Sequence, residues 1–245
     1  MIKRTIIKLS GEAIAGGKGQ GFCDETISGL TAQIKKVLDQ GIEVGLIVGG
    51  GNYWRGRTSE NMDRVRSDQI GMLATVMNAL YLSESLRNIG IASEVMTPMP
   101  FANMTRVYDK HSALKLMSEG TVTFHAAGLC HPYFSTDSVT ALRAAELEVD
   151  RVLFTKNGVG GVYDKAPGEG IDAKMYKSLT YATAIEKRLQ FVDAAALNIL
   201  VEAGIPSFVF GLDEPDGISR ACAKSIEFGT MLNTTIEEEF YVSSN

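Results

Sequence analysis

Apolar and polar positions follow two rhythms along this chain. Short, nearly unbroken apolar runs at 2–9, 42–48, 91–96, 121–126, 151–155 and 205–210 read as buried strands, the first ending in Ile6, Ile7 and Leu9. Between them, apolar residues recur every three or four positions. Ile27, Leu30, Ile34, Val37 and Leu38 form one such stripe, with Asp24 as its expected N-cap and Gly41 placed to end it. Residues 63–88 predict a long helix rich in Met, Leu and Val. Asp109 is expected to cap a helix running to about 118, and Asp137 one running through Glu148. Residues 180–203 read as helix in one or two pieces, 215–225 as helix and 230–236 as a final strand. The tail Glu237-Glu238-Glu239 is polar and expected to be exposed.

Strands alternating with helices predict an α/β protein: a three-layer sandwich whose mostly parallel central sheet is covered by helices on both faces. Parallel strands put their carboxyl-end loops on one edge, where ligands bind. The loops at 8–12, 49–56 and 128–137 all follow strands and so can converge there.

Composition narrows the classes. The chain has 245 residues and no linker, heptad array or internal repeat, which predicts one domain over 1–245. A net charge of −5 with mixed signs lacks the basic footprint of a nucleic-acid binder. Cys23, Cys130 and Cys222 are sparse and far apart, as expected in a reducing cytoplasm. His111, His125 and His131 have no metal-ligand spacing, so no protein-built metal site is expected. The N-terminus has no signal-peptide pattern, and no apolar run approaches the ~18 residues of a membrane span.

Candidate chemistry sits in the loops. Gly49-Gly50-Gly51-Asn52-Tyr53-Trp54-Arg55-Gly56 follows a strand. Glycines let several backbone N–H groups approach one anion, and Arg55 adds a planar charged fork; the plain alternative is a flexible surface turn. In Lys8-Leu9-Ser10-Gly11-Glu12, Lys8 is either a lysine snorkelling from a strand or an ammonium aimed at a phosphoryl group. The loop 127–138 ends in Ser135-Thr136-Asp137 at a helix start, where Asp137 can serve as a cap, as an orienting carboxylate, or as both. Cys130 reads as structural or incidental. Asp68, in the first turns of the long helix, can accept from sugar hydroxyls or simply face solvent. The segment 154–164 is a strand and a glycine-rich turn with Tyr163, able to hold a base or to be only a turn. There is no G-x-x-x-x-G-K-[ST] loop, no protein-kinase signature and no dinucleotide fingerprint.

Taken in order, these segments resemble the bacterial uridylate kinase family, within the amino-acid kinase fold. The resemblance rests on Lys8–Ala13, Gly49–Asn52 with Arg55-Gly56, Gly71-Met72-Leu73-Ala74-Thr75-Val76-Met77-Asn78, Pro132–Ser138, and Lys156-Asn157 with Gly161-Val162-Tyr163. It spans residues 3 to about 236, and the G-M-L-A-T-V-M-N run is its most specific part. It implies a cytoplasmic enzyme of pyrimidine nucleotide biosynthesis that transfers a phosphoryl group from ATP to UMP with Mg²⁺. By that resemblance Lys8, Arg55 and Asp137 are catalytic. Lys8, Leu9, Ser10, Gly11, Gly51, Arg55, Asn157 and Tyr163 would meet ATP, and Gly50, Asp68, Pro132, Tyr133, Phe134, Ser135 and Thr136 would meet UMP. It also implies a homohexamer with the 63–88 helix at a subunit contact, GTP activation through Gly16–Gly21, and UTP inhibition.

The chain departs from the family pattern at three places. Leu129, Cys130 and His131 stand where relatives carry Thr, Gly and Asn; a left-handed backbone there would cost Cys roughly 1–2 kcal/mol, which predicts an altered loop path. Gly160 and Ala166 replace two aspartates. The Gly16–Gly21 loop is one residue longer than in some relatives. Two other readings remain at this level: a kinase for a carboxylate or another phosphate, and a non-catalytic nucleotide sensor or anion-storage protein of the same fold.

Overall fold

A computed structural model describes residues 2–54, 62–168, 172–223 and 226–241. Ten strands form one sheet: β1 (Arg4–Leu9), β2 (Glu43–Val48), β3 (Ser93–Thr97), β4 (Arg106–Val107), β5 (Val122–His125), β6 (Arg151–Lys156), β7 (Tyr176–Thr180), β8 (Ser207–Gly211), β9 (Thr230–Asn233) and β10 (Glu239–Phe240). Their spatial order is β10-β7-β9-β8-β6-β1-β2-β5-β3-β4. The ladders are parallel except β8–β9 and β10–β7. The mostly parallel sheet expected from alternation is present.

Successive side chains of a strand point to opposite faces, so β1 feeds two cores. Ile7 and Leu9 join the apolar side of α2 (Asp24–Leu38), α3 (Arg64–Asn88) and the short α8 (Gly217–Arg220). Ile6 joins α4 (Lys110–Ser118), α5 (Thr136–Glu146), α6 (Tyr181–Glu186) and α7 (Ala194–Ala203) on the other face. Each fully buried Ile or Leu contributes about 1.5–3 kcal/mol by leaving water, which favours this two-faced burial of a nearly continuous apolar run.

Several boundaries differ from the sequence expectation. Cys23, not Asp24, is the N-cap of α2, and Asp24 sits in its first turn, where its charge favours the helix dipole. Ser135 rather than Asp137 caps α5, accepting from the N–H groups of Asp137 and Ser138. Of the helix expected over 215–225, the described residues hold Gly217–Arg220, and the strand expected over 230–236 stops at Asn233, whose Oδ1 accepts from the N–H groups of Thr235 and Ile236 and turns the chain. The pattern gave no notice of α1 (Gly11–Ala15), β4, β7 or β10. The 180–203 segment is two helices, α6 and α7.

Strands β1, β2, β5 and β6 run parallel side by side, so the loops after Leu9, Val48, His125 and Lys156 open on the same edge. That edge carries the site.

Candidate functional site

The glycine loops are packed, not loose. The Gly49 N–H donates to Leu9 O at 2.9 Å. A Cβ on Gly11 would lie 2.4 Å from Gly49 O and 2.7 Å from Gly51 N, both backbone atoms that cannot yield. A Cβ on Gly50 would meet Gly71 O of α3 at 2.8 Å. The loops after β1 and β2 therefore touch backbone to backbone, which glycine alone permits. Buried Asn52 and Asn78 lock this contact by a reciprocal amide pair at 3.0 and 2.7 Å, and Asn78 Nδ2 also donates to Gly49 O at 2.7 Å. The surface-turn alternative fails on this geometry. Arg55 and Gly56 lie outside the described residues.

Lys8 stands near the carboxyl end of β1, and its Nζ lies 3.0 Å from Asp137 Oδ1, with the side chains only 12% and 16% exposed. Because Ser135 does the capping, the Asp137 carboxylate is left to face the lysine. Lys156, at the end of β6, joins the group. Burial holds its ammonium below the ordinary lysine range; Asp137 and Asp193 oppose that shift, and the nearby Lys8 adds to it. Its Nζ donates to Phe191 O. Sequence reasoning gave Lys156 no role, although a lysine closing an apolar strand was the same signal that singled out Lys8.

Asp193 completes the cluster. It caps α7 through the Ala196 N–H at 2.8 Å, and accepts from Ser138 Oγ at 2.8–2.9 Å and from Ser135 Oγ. Burial pushes its carboxyl pKa up, but the hydrogen bonds from Ser135, Ala196 and Ser138 outweigh that and hold it below the usual value. It thereby ties the start of α5 to the start of α7.

Three cavities line up along this edge. One of about 200 Å³ lies between α3 and the loop after β5, lined by Gly50, Trp54, Asp68, Phe134, Ser135 and Thr136 among others. A second of about 510 Å³ shares Ser135 and Thr136 with it and adds Asp137, Phe191 and Asp193. A third of about 500 Å³ shares Phe191 and is lined by Lys156, Gly161, Val162, Tyr163 and Lys187. Shared walls make them one cleft, with Asp137 and its partner Lys8 at the centre.

Of the residues expected near UMP, Gly50, Asp68, Phe134, Ser135 and Thr136 line the small cavity, whereas Pro132 and Tyr133 do not. Asp68 is already engaged: Arg64 Nε lies 2.9 Å from both carboxylate oxygens, and the Tyr133 N–H donates to Oδ2 at 2.8 Å. Tyr133 is 68% exposed, with the Arg64 guanidinium 5.2 Å from its ring centre. On the other side Tyr163 lines its cavity, while Asn157 is exposed and not part of the lining. Leu9 is fully buried in the core, so its side chain cannot reach a ligand. Ser10 is the N-cap of α1.

The loop after β5 is strained. Ala127, Cys130 and Tyr133 all have left-handed backbones, with φ of 61°, 56° and 72°. Cys130 thus occupies the conformation that favours glycine, rather than avoiding it. Such strain costs of order 1–3 kcal/mol per residue and persists where surrounding contacts over-determine it. Here the Ala127 N–H donates to Thr75 Oγ1 of α3, and Leu129 and Cys130 pack against opposite cores.

The amino acid kinase family model matches residues 3–211. A uridylate kinase of Streptococcus thermophilus is 40% identical over 239 residues, covering 97% of this chain and 96% of the relative. Among solved structures, the UMP kinase from Bacillus anthracis superposes with a TM-score of 0.94 at 33% identity, covering 98% of this chain and 99% of that one. The UMP kinase from Ureaplasma parvum gives 0.89 at 32% identity, with 96% and 100% covered.

Proposed function

The chain belongs to the amino acid kinase family, and from that premise we propose that it transfers the γ-phosphoryl group of ATP to UMP, giving ADP and UDP. The observation that carries this reading is the order of the cleft: a small cavity, then Lys8 with Asp137, then a larger cavity. Phosphoryl transfer asks little covalent chemistry of a protein. It asks that two anions be held in line and that the migrating charge be neutralised.

UMP occupies the small cavity, against Gly50, Phe134, Ser135 and Thr136, with Asp68 at the ribose and Pro132 and Tyr133 at the rim. The ATP base and ribose occupy the large cavity beside Tyr163, near Asn157. Its phosphates run over Ser10, Gly11 and Gly51 and the backbone at Leu9. A phosphate oxygen of UMP attacks Pγ, and the bond from Pγ to the bridging oxygen of ADP breaks. Lys8 stabilises the charge that develops on the transferring group, Asp137 holds Lys8 in place, and Lys156 adds a second cation on the donor side. Arg55 supplies a guanidinium fork to the phosphates.

Mg²⁺ enters with ATP. Among the described residues no group of three or more His, Cys, Asp or Glu side chains could hold a metal. In kinases Mg²⁺ is usually carried by substrate phosphates with one or two carboxylates. Asp137, central in the cleft, is the carboxylate suited to help hold it. When bound, the ion neutralises phosphate charge.

The same reading extends to one catalytic domain, built on the single sheet, that assembles as a hexamer in the cytoplasm. An outward stripe on α3 supports contact between copies: Ile70, Leu73, Met77 and Tyr81 are 36–50% exposed at helical spacing. GTP activation through Gly16–Gly21 is supported by Asn52 Nδ2, which donates to Gly21 O at 2.9 Å and so links that loop to the glycine triplet. UTP inhibits by resembling the product. None of the described helices is long and apolar enough to cross a membrane. The assignment is tested by following ADP formation from Mg-ATP with UMP in the wild type and in Lys8→Ala; turnover in the first and its loss in the second is the expected pair.

A further inference from the structure

Residues 237–241 line none of the three cavities of the cleft, yet they are tied to elements that do. Strand β10 pairs antiparallel with β7, Glu239 opposite Ser178 and Phe240 opposite Tyr176. The Phe240 ring stacks on buried Tyr176 at 4.1 Å between centres. Ser178 Oγ donates to Glu237 O at 2.6 Å, and the Tyr241 N–H to Met175 O at 3.1 Å.

The residues it grips hold the cavity wall. The Tyr176 N–H donates to Val162 O at 2.9 Å, and Met175 bridges Tyr163 across an isolated antiparallel pair. Met175 also packs so close that a Cβ on Gly161 would lie 2.9 Å from its sulfur. Gly161, Val162 and Tyr163 are all part of the donor lining. A second link runs through a side chain. Lys187 lines the same cavity, its Nζ donates to Tyr176 Oη at 3.0 Å, and it lies 3.7 Å from Glu238 of the tail.

We propose that residues 237–241 are a strap that sets the width of the donor-nucleotide cavity, with Glu238 and Phe240 as positioning residues for ATP. The strap fixes the position of 175–176, and these fix 161–163. Glu238 keeps the Lys187 ammonium on the tail side of the cavity. The inference rests on ATP being the donor bound there. It predicts an effect on one substrate only, because none of the strap's contacts reaches the acceptor cavity.

The test compares four chains: wild type, Glu238→Gln, Phe240→Ala, and a truncation ending at Ile236. Each is assayed for the KM of ATP, the KM of UMP and kcat, with a thermal melt and direct equilibrium binding of ATP. All three variants are expected to raise the KM and Kd for ATP about three- to tenfold, leaving the KM for UMP within twofold. Glu238→Gln keeps the strand and folds even if the truncation does not. Unchanged ATP affinity in Glu238→Gln and in Phe240→Ala, or an equal rise for both substrates, overturns the strap. Should the wild type fail to turn over UMP, the proposed function falls, and the ATP-binding comparison still decides the strap.

Discussion

The two ends of the cleft are built differently. At the proposed acceptor end backbone meets backbone where Gly50 approaches Gly71, and the left-handed loop at 127–133 is pinned by the Thr75 hydroxyl at the Ala127 N–H. The cavity there is about 200 Å³. At the proposed donor end the space is about 500 Å³, lined by Lys156 of β6, by the glycine-rich turn after it and by the turn after α6, and braced through Tyr176 by the tail. A small cavity closed by backbone contact has few ways to adapt, whereas a larger one braced from the tail can shift. The acceptor end is therefore the place for sharp selection, and the donor end the place where affinity can be tuned from a distance.

The largest expected effect lies at the seam between the ends. Lys8→Ala removes the cation from the proposed transfer point and should lower kcat by about 10²–10³, the usual loss for one preorganised electrostatic donor. UMP binding, measured by equilibrium titration, should change little, because the acceptor walls do not involve Lys8. A parallel loss of binding would show that the ends are not separable.

Asp193 joins the two ends, since it holds Ser135 and Ser138 from the start of α7. Asp193→Asn keeps the cap but loses part of the acceptor capacity, and should destabilise by about 1–3 kcal/mol in denaturant unfolding. It should also raise the KM for UMP, since Ser135 lines that cavity.

Strand β5 leads into the acceptor loop and carries a buried histidine. Burial, aided by Arg143, lowers the His125 pKa to about 3 from 6.5, so the folded protein holds it neutral. The unfolded chain binds the proton and the folded one does not. The stabilisation is complete above the unfolded value and falls as pH drops from about 6.5 toward 3. Between pH 6.5 and 4.5 the slope should approach about 1.4 kcal/mol per unit. His125→Phe should flatten that slope in unfolding measured across the range; an unchanged slope would assign it to other groups.

The smallest effect probes strain. Cys130→Gly relieves a left-handed Cys and should stabilise the protein by about 1 kcal/mol, after the greater chain entropy of glycine is counted. A melting temperature that falls would show that Cys130 packing outweighs its strain.

The sheet was legible because parallel strands buried on both faces leave long apolar runs, such as 4–9 and 43–48. The loops that converge on its edge followed from that. The donor end was far less legible. Strand β7 reads Tyr-Lys-Ser-Leu-Thr and β10 only Glu-Phe, too short and mixed for periodicity to register. Three exposed glutamates in the tail looked like solvated charge, and they are exposed, yet one of them pairs in the sheet and another faces Lys187. Asp137 was placed at a helix start correctly, but Ser135, Thr136 and Asp137 can all cap, and sequence does not say which hydroxyl or carboxylate is nearest. Lys156 needed the fold: only the neighbouring position of β6 beside β1 brings it to Lys8.

Lys8 and Asp137 are proposed to sit between an acceptor site for UMP and a donor site for ATP. The most direct test is ADP release from Mg-ATP with UMP, CMP, dUMP and acetylglutamate offered separately. Turnover confined largely to UMP is expected. Turnover with acetylglutamate, or none with any acceptor while ATP and UMP still bind, would contradict it.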